Sequence, residues 1–270
     1  MKIKIKHETN YTFTSEVPKL IQSVKLYPSK CRNQEITSWS IKTSKGSIQE
    51  SHQDALGHKI YNIFNSNLKG SQKITSSGIV NTKDMLGIVK GLQEKVNPEC
   101  FLRQTNLTVP CRKILQLSKN LKRKNNDAIM FCHQINEIVS KSIKYVSGST
   151  SVSTSAKKSI EQGKGVCQDF AHILISLARE NSLPARYING FLIEDLNAQE
   201  HTTTHAWTEI YVKDLGWVAF DPSHNKCIDE KYVRISCGLD FLDASTIKGV
   251  KTNYSGSENL EVKVSISNCQ

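Results

Sequence analysis

The spacing of apolar residues changes along this chain, and the change limits the folds that it can adopt. Near the N-terminus apolar and polar residues alternate, as at Ile3 and Ile5 and in Lys59–Phe64 (KIYNIF). Such alternation is typical of half-buried strands. From Asp127 onward apolar residues recur at intervals of three and four, which indicates an amphipathic helix. The pattern therefore predicts separate β-rich and mixed regions in one chain.

The length of 270 residues suits one or two domains. Further alternating segments begin at Ser38 (SWSIKT) and Lys73 (KITSSGIVN), with turn-forming residues between them. Several short strands at this spacing favour a sandwich. We therefore predict an α+β protein, with an antiparallel β-sandwich over residues 1–100 and a second, mixed domain over residues 101–270.

Charge and hydropathy exclude several classes of protein. The net charge is +11, but the densest basic run, Lys119–Lys124, contains no aromatic residue and is best interpreted as an exposed segment. We therefore predict no nucleic-acid partner. No run of 18 apolar residues is present to cross a membrane. The N-terminus lacks the apolar core of a signal peptide, so a cytoplasmic location is expected.

The eight cysteines are scattered and form no CxxC pair, a distribution that favours reduced, buried thiols. His201 and His205 are four residues apart, but the threonines between them favour a strand or loop over the helix that would bring both to one zinc ion. We therefore predict neither a metal nor an organic cofactor.

The segment Gly163–Arg179 (GKGVCQDFAHILISLAR) places one cysteine at a helix start. Apolar residues from Phe170 onward fall on one helical face, and two glycines precede it. Cys167 then lies at the helix N-terminus, where the helix dipole and free N–H groups favour a thiolate. Taken alone, a cysteine in such a place is more often a small buried apolar residue than a nucleophile.

A predicted hairpin follows the cysteine helix. His205–Val212 (HAWTEIYV) and Trp217–Asp221 (WVAFD) read as strands joined by the turn KDLG. If the register sets Asp221 opposite Trp207, His205 and Asp221 share a face one diagonal step apart, about 7 Å between backbones. A slip of one residue would separate them.

These residue types suit amide chemistry. A thiolate attacks a carbonyl, an imidazole pairs with the thiolate and then protonates the leaving amine, and a carboxylate orients the imidazole. Cys167, His205 and Asp221 are the candidates for these roles. On the residues alone, Glu209 remains a rival to Asp221, and His172 and His201 remain rivals to His205.

The cysteine segment, the later segment ARYINGF and the hairpin HAWTEIYVKDLGWVAFDPS, in this order, resemble the core of the transglutaminase-like (papain-like) superfamily. The N-terminal half resembles the β domain that precedes this core in bacterial members. The resemblance implies a cysteine helix packed on an antiparallel sheet and acyl transfer through a thioester. It also implies that Cys167 is the nucleophile, His205 the base and Asp221 the third member.

The resemblance leaves the acyl acceptor open. Water would make the chain a cysteine protease or amidase, and an amine would make it a glutamine-directed transglutaminase. Bacterial relatives are generally described as candidate cysteine proteases, so we expect hydrolysis of a peptide or protein substrate. A non-catalytic scaffold is the alternative of another class, and a complete Cys-His-Asp set argues against it. The oligomeric state is not predicted.

Three further residues are candidates for the substrate or oxyanion site. Trp207 shares the face of His205, and the sequence allows it either to line the cleft or to lie in the core. Gln168 follows the cysteine, and Tyr145 precedes the helix. Ser223 and Leu239 depart from the family pattern, which commonly has threonine and arginine at those positions. The second departure puts a substrate contact there in doubt.

Overall fold

The computed structural model describes residues 1–121, 127–193 and 204–269. Its strands are β1 (Lys2–Phe13), β2 (Val17–Val24), β3 (Gln34–Thr43), β4 (Ser47–Gln53), β5 (Lys59–Leu68), β6 (Ser71–Thr82), β7 (Ile88–Val89), β8 (Lys144–Tyr145), β9 (Lys164–Gly165), β10 (Ala185–Leu192), β11 (His205–Val212), β12 (Gly216–Asp221), β13 (Lys226–Cys227), β14 (Tyr232–Gly238), β15 (Ile247–Thr252) and β16 (Glu258–Asn268). Its α-helices are α1 (Arg112–Asn120), α2 (Ala128–Ser142), α3 (Ala156–Gln162), α4 (Cys167–Glu180) and α5 (Phe241–Ala244).

The N-terminal strands form two four-stranded antiparallel sheets, ordered β16-β1-β6-β3 and β15-β2-β5-β4. The alternation predicted for β1 is present, since its odd-numbered residues from Ile3 to Phe13 are buried. Ile3 and Ile5 belong to one apolar cluster of the protein, and Tyr11 and Phe13 belong to another. The strand therefore contributes to two separate apolar clusters along one face.

The observed organisation differs from the predicted division at residue 100. Strands β15 and β16 pair with β2 and β1 of the sandwich, and β7 pairs with β12 of the second sheet. Residues 247–268 and 88–89 are thus on the opposite side of the predicted boundary. Local alternation identifies a strand but does not identify a partner more than 200 residues away, because pairing depends on tertiary contacts.

The second sheet carries the order β13-β12-β11-β10-β14, and β7 pairs with β12. Helix α4 packs on β10 and β11 and is buried from Asp169 to Arg179. Helices α1, α2 and α3 pack in turn against α4. The predicted fold class is confirmed: the protein is α+β, with a buried cysteine helix against an antiparallel sheet.

Local capping explains where the predicted helices begin and end. The side chain of Asp127 accepts hydrogen bonds from the first turn of α2, and Ser155 does the same for α3. Gly163 ends α3 in the left-handed region at φ 67°. Helix α1 was not predicted from the sequence. Its one fully buried apolar residue, Ile114, gives little periodic signal.

Side chains from the sandwich cover the free edge of β14. Gln34 accepts a hydrogen bond from the Arg234 N–H, and the Ser29 N–H donates to the Arg234 carbonyl. The Cys237 N–H donates to Nε2 of His58 at 3.0 Å. Exposed strand edges need such partners, so these contacts fix the sandwich against the second sheet.

No described helix combines the length and apolar character needed to span a membrane. All eight cysteines are free thiols. Cys111, Cys132 and Cys237 are buried as expected, whereas Cys100 is exposed and the other four are half-buried. The cytoplasmic location and the lack of a nucleic-acid partner stay predictions.

Candidate active site

Cys167 is the first residue of α4, and its side chain is half-buried. Helix geometry leaves its N–H without an acceptor inside the helix. The turn before it is held by Asp169, whose Oδ2 accepts from the Val166 N–H at 2.8 Å and the Thr150 hydroxyl at 2.6 Å. Gly165 permits this turn, because a Cβ there would lie 2.6 Å from the Cβ of Asp169.

The hairpin brings the candidate base and carboxylate together. Thr208 pairs with Phe220 in the β11–β12 ladder. One further step of this register sets Asp221 opposite Trp207, as the sequence predicted. Nε2 of His205 lies 2.7 Å from Oδ2 of Asp221. The diagonal arrangement therefore forms a direct hydrogen bond.

Asp221 receives several other hydrogen bonds. Nδ1 of His224 and the Tyr232 hydroxyl donate to its Oδ2, each at 2.8 Å. The hydroxyl and N–H of Ser223 donate to its Oδ1 at 2.6 and 2.9 Å. Burial alone would raise the pKa of Asp221, but the bonds from His205 and His224 hold that pKa far below its usual range. The group is thus a fixed carboxylate.

His205 contacts both other members of the proposed set. Burial would lower the pKa of His205, yet the hydrogen bonds with Asp221 and Cys167 raise it from 6.5 to about 10. Because Nε2 is bound to Asp221, Nδ1 is the ring nitrogen that remains for the Cys167 sulfur. The structure thus brings Cys167, His205 and Asp221 together: His205 hydrogen-bonds to Asp221 directly, and the Cys167 thiol lies close enough to raise the pKa of His205.

Trp207 packs behind His205. Its side chain is 0% exposed, and its ring stacks on the imidazole with centroids 6.3 Å apart. Tyr232 meets the indole edge-on at 5.5 Å. Gly190 leaves the room for this packing, since a Cβ there would overlap the indole. Of the two predicted alternatives, the structure places Trp207 in the core, with no surface open to a substrate.

The remaining two candidates, Gln168 and Tyr145, contact neighbouring residues. The Gln168 side-chain amide donates to the carbonyls of Ser151 and Val152 at 3.5 and 3.4 Å, so it anchors the preceding loop. Tyr145 is 58% exposed, and its ring stacks on Phe170 at 6.3 Å. A substrate contact by Tyr145 stays a prediction.

Glu209 and His172, the rivals to Asp221 and His205, are bound to other partners. Glu209 is fully buried between Arg186 and Arg234, at 2.7 and 2.8 Å, and so does not orient His205. Nε2 of His172 accepts from the Phe241 N–H at 3.1 Å, and burial lowers the pKa of His172 to about 4. His201 lies outside the described residues.

Sequence reasoning missed Tyr232, His224 and Gly190. Tyr232 begins β14, beyond the predicted hairpin, and no local pattern directs its hydroxyl to Asp221. The Ser223 departure from the family pattern keeps the hydroxyl that binds Asp221, which explains why serine is adequate there. Leu239 packs in the apolar cluster that includes Trp217, so its side chain contributes to packing.

Within the described residues, one group of three side chains has ligand atoms close enough to hold a metal ion: His205, Asp221 and His224, all within 4.8 Å. The same atoms already hydrogen-bond to one another through Asp221. This group differs from the His201–His205 pair considered from the sequence.

Two protein-family models match the chain. Residues 115–222 match the transglutaminase-like superfamily, and residues 3–81 match the bacterial transglutaminase-like N-terminal region. Each match falls on the part of the chain for which the sequence predicted it. The first contains Cys167, His205 and Asp221.

Individual relatives match either nearly the whole chain or about half of it. An uncharacterized protein of Mycobacterium leprae is 24% identical over 98% of both chains. One of Mycobacterium bovis is 32% identical over 45% of this chain and 41% of its own length. A crystal structure from Cytophaga hutchinsonii, described as a "putative cysteine protease", has a TM-score of 0.76 and 24% identity, covering 100% of this chain and 92% of that one. The similarity to this crystal structure supports the fold described above.

Proposed function

We propose, from the premise that this chain belongs to the transglutaminase-like superfamily, that it hydrolyses amide bonds of peptides or proteins through a thioester on Cys167. The observation that carries the proposal is the direct hydrogen bond between Asp221 and His205, with the Cys167 thiol close enough to raise the pKa of the same imidazole. A scaffold has no physical need for a buried carboxylate that holds an imidazole against a half-exposed thiol.

The first step forms the thioester. Cys167 Sγ, as the thiolate paired with the His205 imidazolium, attacks the scissile carbonyl. The carbonyl oxygen takes the negative charge, and the free Cys167 N–H at the start of α4 is a suitable donor to it. Collapse of this intermediate breaks the C–N bond, and Nδ1 of His205 gives its proton to the leaving amine.

The second step regenerates the thiolate. Nδ1 of the now neutral His205 takes a proton from a water molecule as that water attacks the thioester carbonyl. The C–S bond breaks, the acid product leaves, and the thiolate–imidazolium pair returns. Asp221 keeps its negative charge throughout, because its hydrogen bonds fix it as the acceptor of the Nε2 proton.

Alkylation tests the nucleophile. Iodoacetamide labelling across a pH series, read by peptide mass spectrometry, should modify Cys167 well below the pH at which the exposed Cys100 reacts. The Cys100→Ser variant is the matched control, and its Cys167 labelling should be unchanged. Equal labelling of all eight thiols at every pH would refute the activated nucleophile.

A second experiment identifies the acceptor. A fluorogenic peptide panel, assayed with and without a primary amine, should release product without the amine, and Cys167→Ala should abolish this release. Release that depends strictly on the amine would instead establish transfer from glutamine side chains to amines.

A further inference from the structure

The buried face of β1 contains a polar interruption. Ile3 and Ile5 lie in one apolar cluster, and Tyr11 lies in another. Between them His7 and Thr9 are each only 2% exposed. Burying polar side chains in the middle of an apolar sheet face costs free energy unless they bind something. This part of the sandwich therefore differs from ordinary core.

Two buried polar atoms at this place have no protein partner. Within residues 1–121, 127–193 and 204–269, Nδ1 of His7 and Oδ1 of Asn189 make no hydrogen bond. Both residues line the same pocket, of about 150 Å³. An unsatisfied buried polar atom costs free energy, so a pocket with two such atoms is suited to a polar ligand.

The pocket adjoins the reacting groups. Thr204, which lines it, directly precedes His205 in the chain, and Asn189 pairs with Ala206 in the β10–β11 ladder. Asn189 also shares a strand face with Tyr187, since the two are two residues apart. Burial raises the pKa of the Tyr187 hydroxyl well above its usual value, and the charge of Cys167 adds to this rise. The pocket therefore lies beside the end of β11 that carries His205.

The residues that line the pocket disfavour a charged ligand. None of its described lining residues is a lysine, arginine, aspartate or glutamate. Burial lowers the pKa of His7 to about 4, so the imidazole is neutral near pH 7. Phe241 and Val262 add apolar walls. A carboxylate or an ammonium would lose its hydration here without an opposite charge to replace it.

A carboxamide satisfies both unpartnered atoms. Its NH₂ group donates to Oδ1 of Asn189, and its oxygen accepts from a protonated Nδ1 of His7. It remains complementary if the imidazole tautomer or the Asn189 amide is reversed, because it offers donors and an acceptor together. A hydrocarbon side chain would leave both protein atoms unsatisfied.

We propose that this pocket, bracketed by His7 of the sandwich and Asn189 of the second sheet, is a subsite for a carboxamide side chain flanking the amide that is cleaved. The proposal rests on the proposed function for its substrate. It also gives the sandwich a direct role in substrate selection, because His7 belongs to β1.

The test uses the full chain and internally quenched peptides. At each of two positions on either side of the scissile amide, the peptides carry Gln, Glu, Leu or Lys in turn. At one position kcat/KM for Gln should exceed that for Glu, Leu and Lys by at least about 10-fold, because those side chains leave a buried polar atom unpaired or bury a charge. Asn189→Asp should abolish this preference, whereas the exposed Asn259→Asp should retain it.

A binding measurement separates this inference from the proposed reaction. Calorimetry with the Cys167→Ala variant should show the Gln peptide binding more tightly than its Glu and Leu counterparts. If no peptide is cleaved but this selectivity appears, the subsite stands and the hydrolytic function falls. If peptides are cleaved with equal kcat/KM for Gln, Glu and Leu at every position, the function stands and the subsite is refuted. No selectivity in either measurement also refutes the subsite.

Discussion

His205 and His224 donate hydrogen bonds to the same oxygen, Oδ2 of Asp221, at 2.7 and 2.8 Å. Their rings meet edge-on, with centroids 5.5 Å apart. His205 is buried, whereas the His224 side chain is 37% exposed. One carboxylate thus orients an interior imidazole and an outer one, and the outer one is accessible from solvent.

This arrangement predicts inhibition by zinc. Zn²⁺ binds imidazole nitrogen, carboxylate oxygen and thiolate sulfur, and binding at His205 would remove the base from catalysis. We expect micromolar to millimolar Zn²⁺ to inhibit hydrolysis, and Mg²⁺, which prefers oxygen ligands, to have little effect. His224→Ala should weaken zinc inhibition by at least about 10-fold, as measured by the inhibition constant. His52→Ala, which removes an exposed histidine of the sandwich, should leave it unchanged.

The raised pKa of His205 predicts a wide pH range. The imidazolium that pairs with the thiolate is present below the His205 pKa of about 10 and is lost as the pH rises through that value. The same protonation contributes stability that is complete below pH 6.5 and disappears as the pH passes about 10. We therefore expect kcat/KM to decline only near pH 10.

Asp221→Asn should change that profile. Without the carboxylate, the pKa of His205 falls towards its ordinary value, and the alkaline decline moves to lower pH. The amide also favours the wrong tautomer, so kcat should fall about 10²–10⁴-fold. The pH dependence of kcat/KM checks both effects. Asp214→Asn, in the exposed turn of the same hairpin, should retain the parental profile.

The Tyr232 hydroxyl is predicted to position Asp221 rather than to take part in the chemistry. Tyr232→Phe removes the 2.8 Å hydrogen bond and keeps the ring against Trp207. One such bond contributes about 1.5–3 kcal/mol when its acceptor is charged, so kcat should fall about 10- to 150-fold, with an unchanged KM. Tyr61→Phe, which removes an exposed hydroxyl bound to Glu50, is the control. Full activity in Tyr232→Phe would contradict this role.

Gly190 is predicted to set the position of Trp207. An added Cβ would overlap the Val233 carbonyl and the indole, so Gly190→Ala should push Trp207 towards His205. Such overpacking lowers the free energy of unfolding by about 1–3 kcal/mol, and activity should fall with it. Denaturant unfolding and kcat/KM are the measurements. Gly249→Ala, where the nearest atom is 3.5 Å away, should match the parent in both.

The contact between the sandwich and the second sheet is predicted to depend on His58. Its Nε2 accepts the edge-strand N–H of Cys237, and its Nδ1 lies 2.9 Å from Oδ2 of Asp54. His58→Ala leaves that N–H without its acceptor and opens a cavity, which should lower the free energy of unfolding by more than about 1 kcal/mol. The exposed His52→Ala is the matched control. Equal unfolding midpoints for the two variants would show that the contact adds nothing.

The hairpin could be predicted from local sequence because apolar and polar residues alternate along its two strands and the turn between them is short. The register itself was assumed from the sequence, and the observed pairing of Thr208 with Phe220 is what brings Asp221 to His205. Cys167 was located for a similar reason, since glycines and apolar periodicity define the start of its helix. Family resemblance then chose between Asp221 and Glu209, which the residues alone did not.

The parts that were missed depend on contacts distant in sequence. His58 meets Cys237 across 179 residues, and the pairing of β16 with β1 joins opposite ends of the described chain. No pattern within either segment specifies its partner. For the same reason the sequence did not decide whether Trp207 lines the cleft or lies in the core. The space for its ring is left by Gly190, which lies on another strand.

The pairing of β1 with β16 has a consequence for biosynthesis. A ribosome makes β1 first, yet one of its two neighbours is complete only when residue 268 has been added, and Thr14 and Ser257 bond across 243 residues. Contacts so distant in sequence form slowly. Until then the nascent chain exposes an unpaired edge of β1, which makes this stage a natural point for chaperone binding and for loss of prematurely terminated chains.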